Sequence, residues 1–163
     1  NWTILRPTGI YGNNYYWRSL IQEFKTKKNI KIIGPGSWPL QYIYVEDCAR
    51  AIVDVLNTDI TKRNTYTICS ADHLDYNAYL AAMQLATNTK LSVRHIPMWA
   101  TELYVSTVGV IQPQLKTKLA NIHRMYNAQF HDSSKAIKDF GFLSRPFSQG
   151  LKDLIGETET NEA

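Results

Sequence analysis

Trp2-Thr3-Ile4-Leu5-Arg6-Pro7-Thr8-Gly9-Ile10-Tyr11-Gly12, near the start of the chain, decides the fold. It opens as a short apolar run and breaks into a turn punctuated by Pro7, Gly9 and Gly12, which reads as a buried strand followed by a tight loop. In an open parallel sheet, the loop at the carboxyl end of a strand is where ligands bind. A strand needs neighbours, and here the first residue already lies inside an element. The expectation is that these 163 residues are the C-terminal part of a larger protein.

Outward from that stretch, strands and helices alternate. Leu20, Ile21 and Phe24 fall on one helical face. Ile30 to Ile33 reads as a strand closed by Gly34-Pro35-Gly36, and Gln41 to Val45 as the next. Glu46 and Asp47 then open a helix with Ala49, Ile52, Val53 and Leu56 as its apolar face. Acidic residues in a first turn complement the helix dipole, so Asp47 reads as structural rather than catalytic. Thr65 to Cys69 is a β-branched and aromatic strand, Asp75 caps a helix carrying Tyr79, Leu80 and Met83, and Leu91 to Ile96 is a further strand. Pro97 starts a helix with Trp99, Leu103, Val108 and Ile111 on its apolar side, bent or ended by Gly109 and Pro113. Asp132 caps a short helix with Ile137, and Phe147, Leu151, Leu154 and Ile155 form a last amphipathic helix. Residues 1–155 read as one α/β unit, and 156–163 as a polar, disordered tail.

Four motifs in this order resemble one family. Leu5-Arg6-Pro7-x-x-x-Tyr11-Gly12 resembles the sixth-strand motif of the extended short-chain dehydrogenases/reductases, the NAD-dependent epimerase/dehydratase family. Gly34-Pro35-Gly36-Ser37 with Tyr42-Ile43-Tyr44-Val45-Glu46-Asp47-x-Ala49-x-Ala51 resembles its strand-to-helix segment, and Thr65-Tyr66-Thr67-Ile68 the following strand. Phe130-x-Asp132-x-Ser134-Lys135-Ala136, then Phe140-Gly141-Phe142 and Pro146, resembles the C-terminal end. The resemblance implies the last strands of a Rossmann-type sheet together with a small substrate-binding subdomain, the N-terminal Rossmann part lying upstream.

Composition excludes several classes. The net charge is +4, and its one basic cluster, Lys25, Lys27, Lys28 and Lys31, reads as a solvated helix end rather than a nucleic-acid surface. Cys48 and Cys69 read as buried thiols, too few for a disulfide framework. Neither a signal peptide nor a membrane span is visible, since the longest apolar stretch, Trp99 to Ile111, is interrupted by Thr101 and Glu102. A cytoplasmic protein is the default expectation.

The sequence holds no recognisable catalytic centre. No G-x-x-G-x-x-G turn occurs, and none of the ten tyrosines has lysine four residues later, so the family's Tyr-x-x-x-Lys pair is absent. His73, His95, His123 and His131 are scattered, without triad or metal spacing. By resemblance, Pro7, Thr8 and Ile10 lie beside the nicotinamide end of NAD or NADP; the alternative is that Pro7 and Gly9 only shape a turn. The resemblance puts a small-molecule substrate between this loop and the segment after Gly36, against Gly9, Tyr11, Trp38, Leu40, Tyr44 and Arg124. Sugar-nucleotide members carry an asparagine at the position of Gly9 and a diphosphate-binding arginine at that of Leu40. Neither is present, Arg124 and Arg18 being the candidates to replace the arginine, so a less charged substrate is expected, as in the hydroxysteroid-dehydrogenase-like branch. Two classes stay open: the C-terminal half of an NAD(P)-dependent oxidoreductase, epimerase or dehydratase, and a non-catalytic member that binds nucleotide or a partner. The expected partners are the upstream part of the same protein and the substrate, with a homodimer left open.

Overall fold

The computed structural model describes residues 1–160, with the side chains of 158–160 left aside. The opening stretch forms two strands, β1 (Thr3–Pro7) and β2 (Gly9–Tyr11), rather than a strand and a loop. There follow α1 (Tyr15–Thr26), β3 (Asn29–Ile33), β4 (Pro39–Leu40), β5 (Tyr42–Tyr44) and α2 (Val45–Leu56). A single 3-10 turn at Asp59–Thr61 leads to β6 (Asn64–Ile68), β7 (Leu74–Asp75), α3 (Tyr76–Thr87) and β8 (Ser92–Ile96). The chain closes with α4 (Met98–Val108), α5 (Gln114–Tyr126), α6 (Ser134–Phe140) and α7 (Phe147–Thr160).

The strands pair two by two. β1–β6, β2–β5 and β3–β8 are parallel and β4–β7 is antiparallel. Each parallel pair is joined through helices, as a parallel connection requires. β1 and β2 pair with different partners, so Thr8 is the point at which the chain leaves one ladder and enters another. The helix entries are capped as the residue types dictate: Asn14 accepts from the Trp17 N–H at 3.0 Å and Asp75 from the Ala78 N–H at 2.7 Å. Asp132 accepts from the Ser134 N–H at 2.9 Å.

Two cores result. The larger gathers Tyr11, Trp17, Ile21 and Phe24 with Leu80 and Met83, and α7 lays Phe147, Leu151 and Leu154 into it. Each of these α7 side chains is fully buried, which stabilises the fold by about 1.5–3 kcal/mol apiece. The smaller core gathers Ile43, Ala51, Tyr66, Ile68, Ala136 and Phe142.

Four sequence expectations change. The helix of α2 forms, but its inward face is Asp47 and Ala51, while Ile52, Val53 and Leu56 are 49%, 54% and 78% exposed. Asp47 turns inward because Arg145 neutralises it there. On α4 only Val105 is buried; Trp99 and Leu103 face outward, as does Ile111 beyond the end of the helix. α5 was not foreseen: its Leu115, Leu119, Ile122 and Tyr126 recur at helical spacing, but within a run dominated by polar residues. The polar tail expected from residue 156 is helical through Thr160, where Glu157 accepts a hydrogen bond from the Tyr44 hydroxyl at 3.1 Å. Residues 161–163 lie outside the described residues.

Candidate functional site

An aromatic cleft of about 430 Å³ opens where β2, β4 and β5 meet α1 and α3. Ile10, Leu40 and Tyr42 come from the strands, Trp38 from the residue just before β4, Tyr16 and Trp17 from α1, and Tyr76 and Tyr79 from α3. Its walls are continuous. Trp38 stacks on Tyr76 at 4.4 Å between ring centroids, Tyr76 stacks on Tyr79 at 5.7 Å, and Trp17 meets Tyr42 edge-on at 5.4 Å. Among the described residues, no charged side chain lines it.

The expected substrate residues separate into four groups. Trp38 and Leu40 line the cleft. Gly9 lies opposite Tyr42 in the ladder, and a Cβ there would come within 2.7 Å of the Tyr42 ring, so glycine is what permits the approach. Tyr11 and Tyr44 are both 1% exposed and support the cleft from behind, with their rings 5.1 Å apart and the Tyr11 hydroxyl donating to the Phe147 carbonyl. Burial is the main cause that raises both phenols above their ordinary range. Arg124 is exposed on α5 and does not reach the cleft; its neighbour Met125 does. Arg18 donates to the Asn13 side chain and is likewise not among the lining residues.

Sequence reasoning also missed Tyr126, which lies on the unforeseen α5. Its hydroxyl donates to the Ile33 carbonyl at 2.7 Å and accepts from the Gly36 N–H at 2.9 Å, and its ring meets Trp38 edge-on at 5.1 Å. Tyr16, Tyr76 and Tyr79 went unassigned because nothing local in the sequence brings α1 and α3 to β5.

The cofactor-side expectation falls on Pro7, Thr8 and Ile10, at the carboxyl end of the β1–β6 pair. The Thr8 N–H is used, donating to the Ile68 carbonyl at 3.1 Å. Its Oγ1 is buried without a hydrogen-bond partner, as is the Oγ of Ser70 just beyond β6. Pro7 and Ile10 present exposed apolar surface beside them. An unpartnered hydroxyl next to an apolar ledge suits an amide-bearing planar ring. Asp47, by contrast, is locked away: Arg145 and Arg50 both reach it at 3.0 Å.

Residues 1–69 match the family model described as the NAD dependent epimerase/dehydratase family. No curated protein matches the sequence. Among solved structures, the UDP-glucose 4-epimerase of Thermotoga maritima with UDP-glucose is similar over 99% of this chain and 47% of its own, at 16% identity and a TM-score of 0.68. The UDP-glucuronic acid 4-epimerase of Bacillus cereus, in complex with UDP-glucuronic acid and NAD, is similar over 98% of this chain and 45% of its own, at 16% identity and a TM-score of 0.63. RMD from Pseudomonas aeruginosa, complexed with NADPH, covers 98% of this chain and 49% of its own, at 12% identity and a TM-score of 0.62. The chain thus spans about half the length of the structures it matches. The resemblance to the NAD-dependent epimerase/dehydratase family is borne out over residues 1–69, and the α/β fold is that of these solved structures over nearly the whole chain. No helix among the described residues is long and apolar enough to cross a membrane.

Proposed function

We propose that this chain forms the nicotinamide-facing loop and the substrate pocket of an NAD(P)-dependent oxidoreductase, epimerase or dehydratase, within a longer protein whose upstream part carries the dinucleotide fingerprint and the catalytic pair. Residues 1–155 act as one unit with that part. The observation that carries this reading is the loop itself: Thr8 holds a buried, unpartnered hydroxyl, and two residues later Ile10 lines the aromatic cleft. On this reading one short loop serves both a cofactor and a substrate. A bound nicotinamide would supply the hydride transfer. Pro7 and Ile10 would bound its ring, Thr8 would meet its polar substituent, and Trp38 and Leu40 would exclude water from the substrate side. With no cation lining the cleft, the substrate is less charged than a nucleotide sugar; a buried diphosphate without partners costs several kcal/mol, on the order of the transfer penalty of an unpaired charge.

Fluorescence titration of the full-length protein with NADH and NADPH tests this. One of the two should bind, and Thr8→Val should weaken it about three- to tenfold, the worth of one hydrogen bond. Failure of the full-length protein to bind either would favour a non-catalytic, partner-binding member instead. Micromolar NADH binding by the 163-residue chain alone would overturn the division of labour between the two parts.

A further inference from the structure

Eight of the ten tyrosine hydroxyls of this chain fall into two groups. Four buried or bridging ones are committed to the protein: Tyr11 to the Phe147 carbonyl at 3.3 Å, Tyr44 to Glu157 at 3.1 Å, Tyr66 to Asp139 at 2.9 Å and Tyr126 to the Ile33 carbonyl at 2.7 Å. The four that line the cleft, Tyr16, Tyr42, Tyr76 and Tyr79, make no hydrogen bond through their hydroxyls among the described residues. Tyr79 is only 7% exposed as a residue, yet its hydroxyl is not among the buried polar atoms, so it opens to the cleft, where a ligand group can take the place of water.

The four phenols form one group. Tyr42 feels the field of Tyr16 and Tyr76, and Tyr79 that of Tyr42, Tyr76 and Tyr16. Burial, the largest cause, raises Tyr42, Tyr76 and Tyr79 above the ordinary phenol range, so all three remain neutral donors at physiological pH. Lys27 acts on Tyr76 from an adjoining hollow and is itself paired with Glu23 at 2.8 Å. The cleft therefore offers flat aromatic faces, several neutral hydroxyls and no charge. A phosphate or carboxylate would lose its hydration there and meet no counter-charge. An uncharged ring would keep its apolar face against Trp38 and Tyr76 and its polar groups against the phenols.

Resting on the substrate-pocket reading above, we propose that the cleft binds an uncharged ring compound bearing hydroxyl or carbonyl groups, and that Tyr16, Tyr42, Tyr76 and Tyr79 recognise those groups. Both a neutral sugar and a hydroxylated polycycle have this chemistry.

Calorimetric titration of the full-length protein separates them, with p-nitrophenyl β-glucoside as the neutral sugar, estradiol as the polycycle and UDP-glucose as the charged comparison. One neutral probe should bind, and its identity names the source. Tyr42→Phe, Tyr76→Phe and Tyr79→Phe keep the rings in place, and each should weaken that probe about three- to tenfold without lowering the melting temperature. Tighter binding of UDP-glucose than of both neutral probes overturns the proposal. So does equal affinity in the triple phenylalanine variant, or no binding of either neutral probe. NADH titration of the same samples separates the levels. If NADH binds while both neutral probes fail, only the phenol assignment is lost; if NADH fails too, the reading beneath it goes as well.

Discussion

Arg145 holds Asp47 from two directions, its backbone N–H 2.8 Å from one carboxylate oxygen and its guanidinium 3.0 Å from the other. The pair joins the first turn of α2 to the residue two before α7, 98 positions away. Asp47 is 1% exposed, and Arg145 also reaches Glu46 and Asp153. Removing the two partners should therefore have unequal effects. Asp47→Ala leaves Arg145 with two carboxylates and should cost about 2–3 kcal/mol. Arg145→Ala removes the guanidinium and leaves the buried carboxylate with the backbone N–H of residue 145 and the half-exposed Arg50, and should cost about 3–5 kcal/mol. Urea unfolding of the two variants checks the order; the reverse order would show that Asp47 is not held chiefly by Arg145.

Gly9 faces the Tyr42 ring at a separation that no Cβ tolerates without movement. Gly9→Ala should destabilise the β2–β5 pair by about 1–3 kcal/mol, and Tyr42→Leu in the same chain should recover most of that loss. An asparagine at position 9 is excluded by the same ring, so Gly9→Asn should be worse than Gly9→Ala. Thermal melts of the three variants decide the matter, and an additive double variant would rule out the steric account.

The Tyr66 phenol is pushed up to about 12 by burial, and then by the Asp139 carboxylate that accepts its hydrogen bond. Below pH 10 the phenol is protonated in both the folded and unfolded chain and contributes no pH dependence. Between about 10 and about 12 the unfolded chain binds fewer protons, so stability falls as the pH rises. Denaturant midpoints measured across that range should drop, and the drop should be smaller in Tyr66→Phe. Phenolate absorbance should show Tyr66 ionising late.

Trp2, Ile4, Ile52, Val53, Leu56 and Ile60 are all at least 45% exposed; Trp2 just precedes β1, and the others belong to β1, α2 and the 3-10 turn between α2 and β6. β1 pairs on one side only, with β6, among the described residues. An apolar surface beside an open strand edge favours association. The 163-residue chain on its own should elute larger than a monomer and bind a hydrophobic dye, and Ile52→Lys with Leu56→Lys should reduce both. A sharp, cooperative melt of a monomeric chain at high temperature would contradict this.

The elements were largely legible because their signals are local. Asn29–Ile33, Asn64–Ile68 and Ser92–Ile96 are β-branched runs bounded by turn residues, and Asp75 caps its helix as its type suggests. What the periodicity of α2 could not reveal is which side turns inward. That depends on Arg145, which is remote in sequence. The cleft was half legible: Trp38 and Leu40 follow a recognisable Gly-Pro-Gly turn, but Tyr16, Tyr76 and Tyr79 are brought to it only by the packing of α1 and α3. Tyr11 and Tyr44 were read as pocket wall and instead became core, because Phe147 and Glu157, more than a hundred residues later, take their hydroxyls.

Tyr126 gives the molecule a form of gearing. One phenol grips the end of β3 through Ile33 and the turn at Gly36, while its ring rests on the indole that roofs the cleft. α5 cannot rotate or withdraw without releasing both hydrogen bonds and the edge of Trp38 together. Strain applied to the outer α4–α5 hairpin is therefore delivered to the mouth of the cleft.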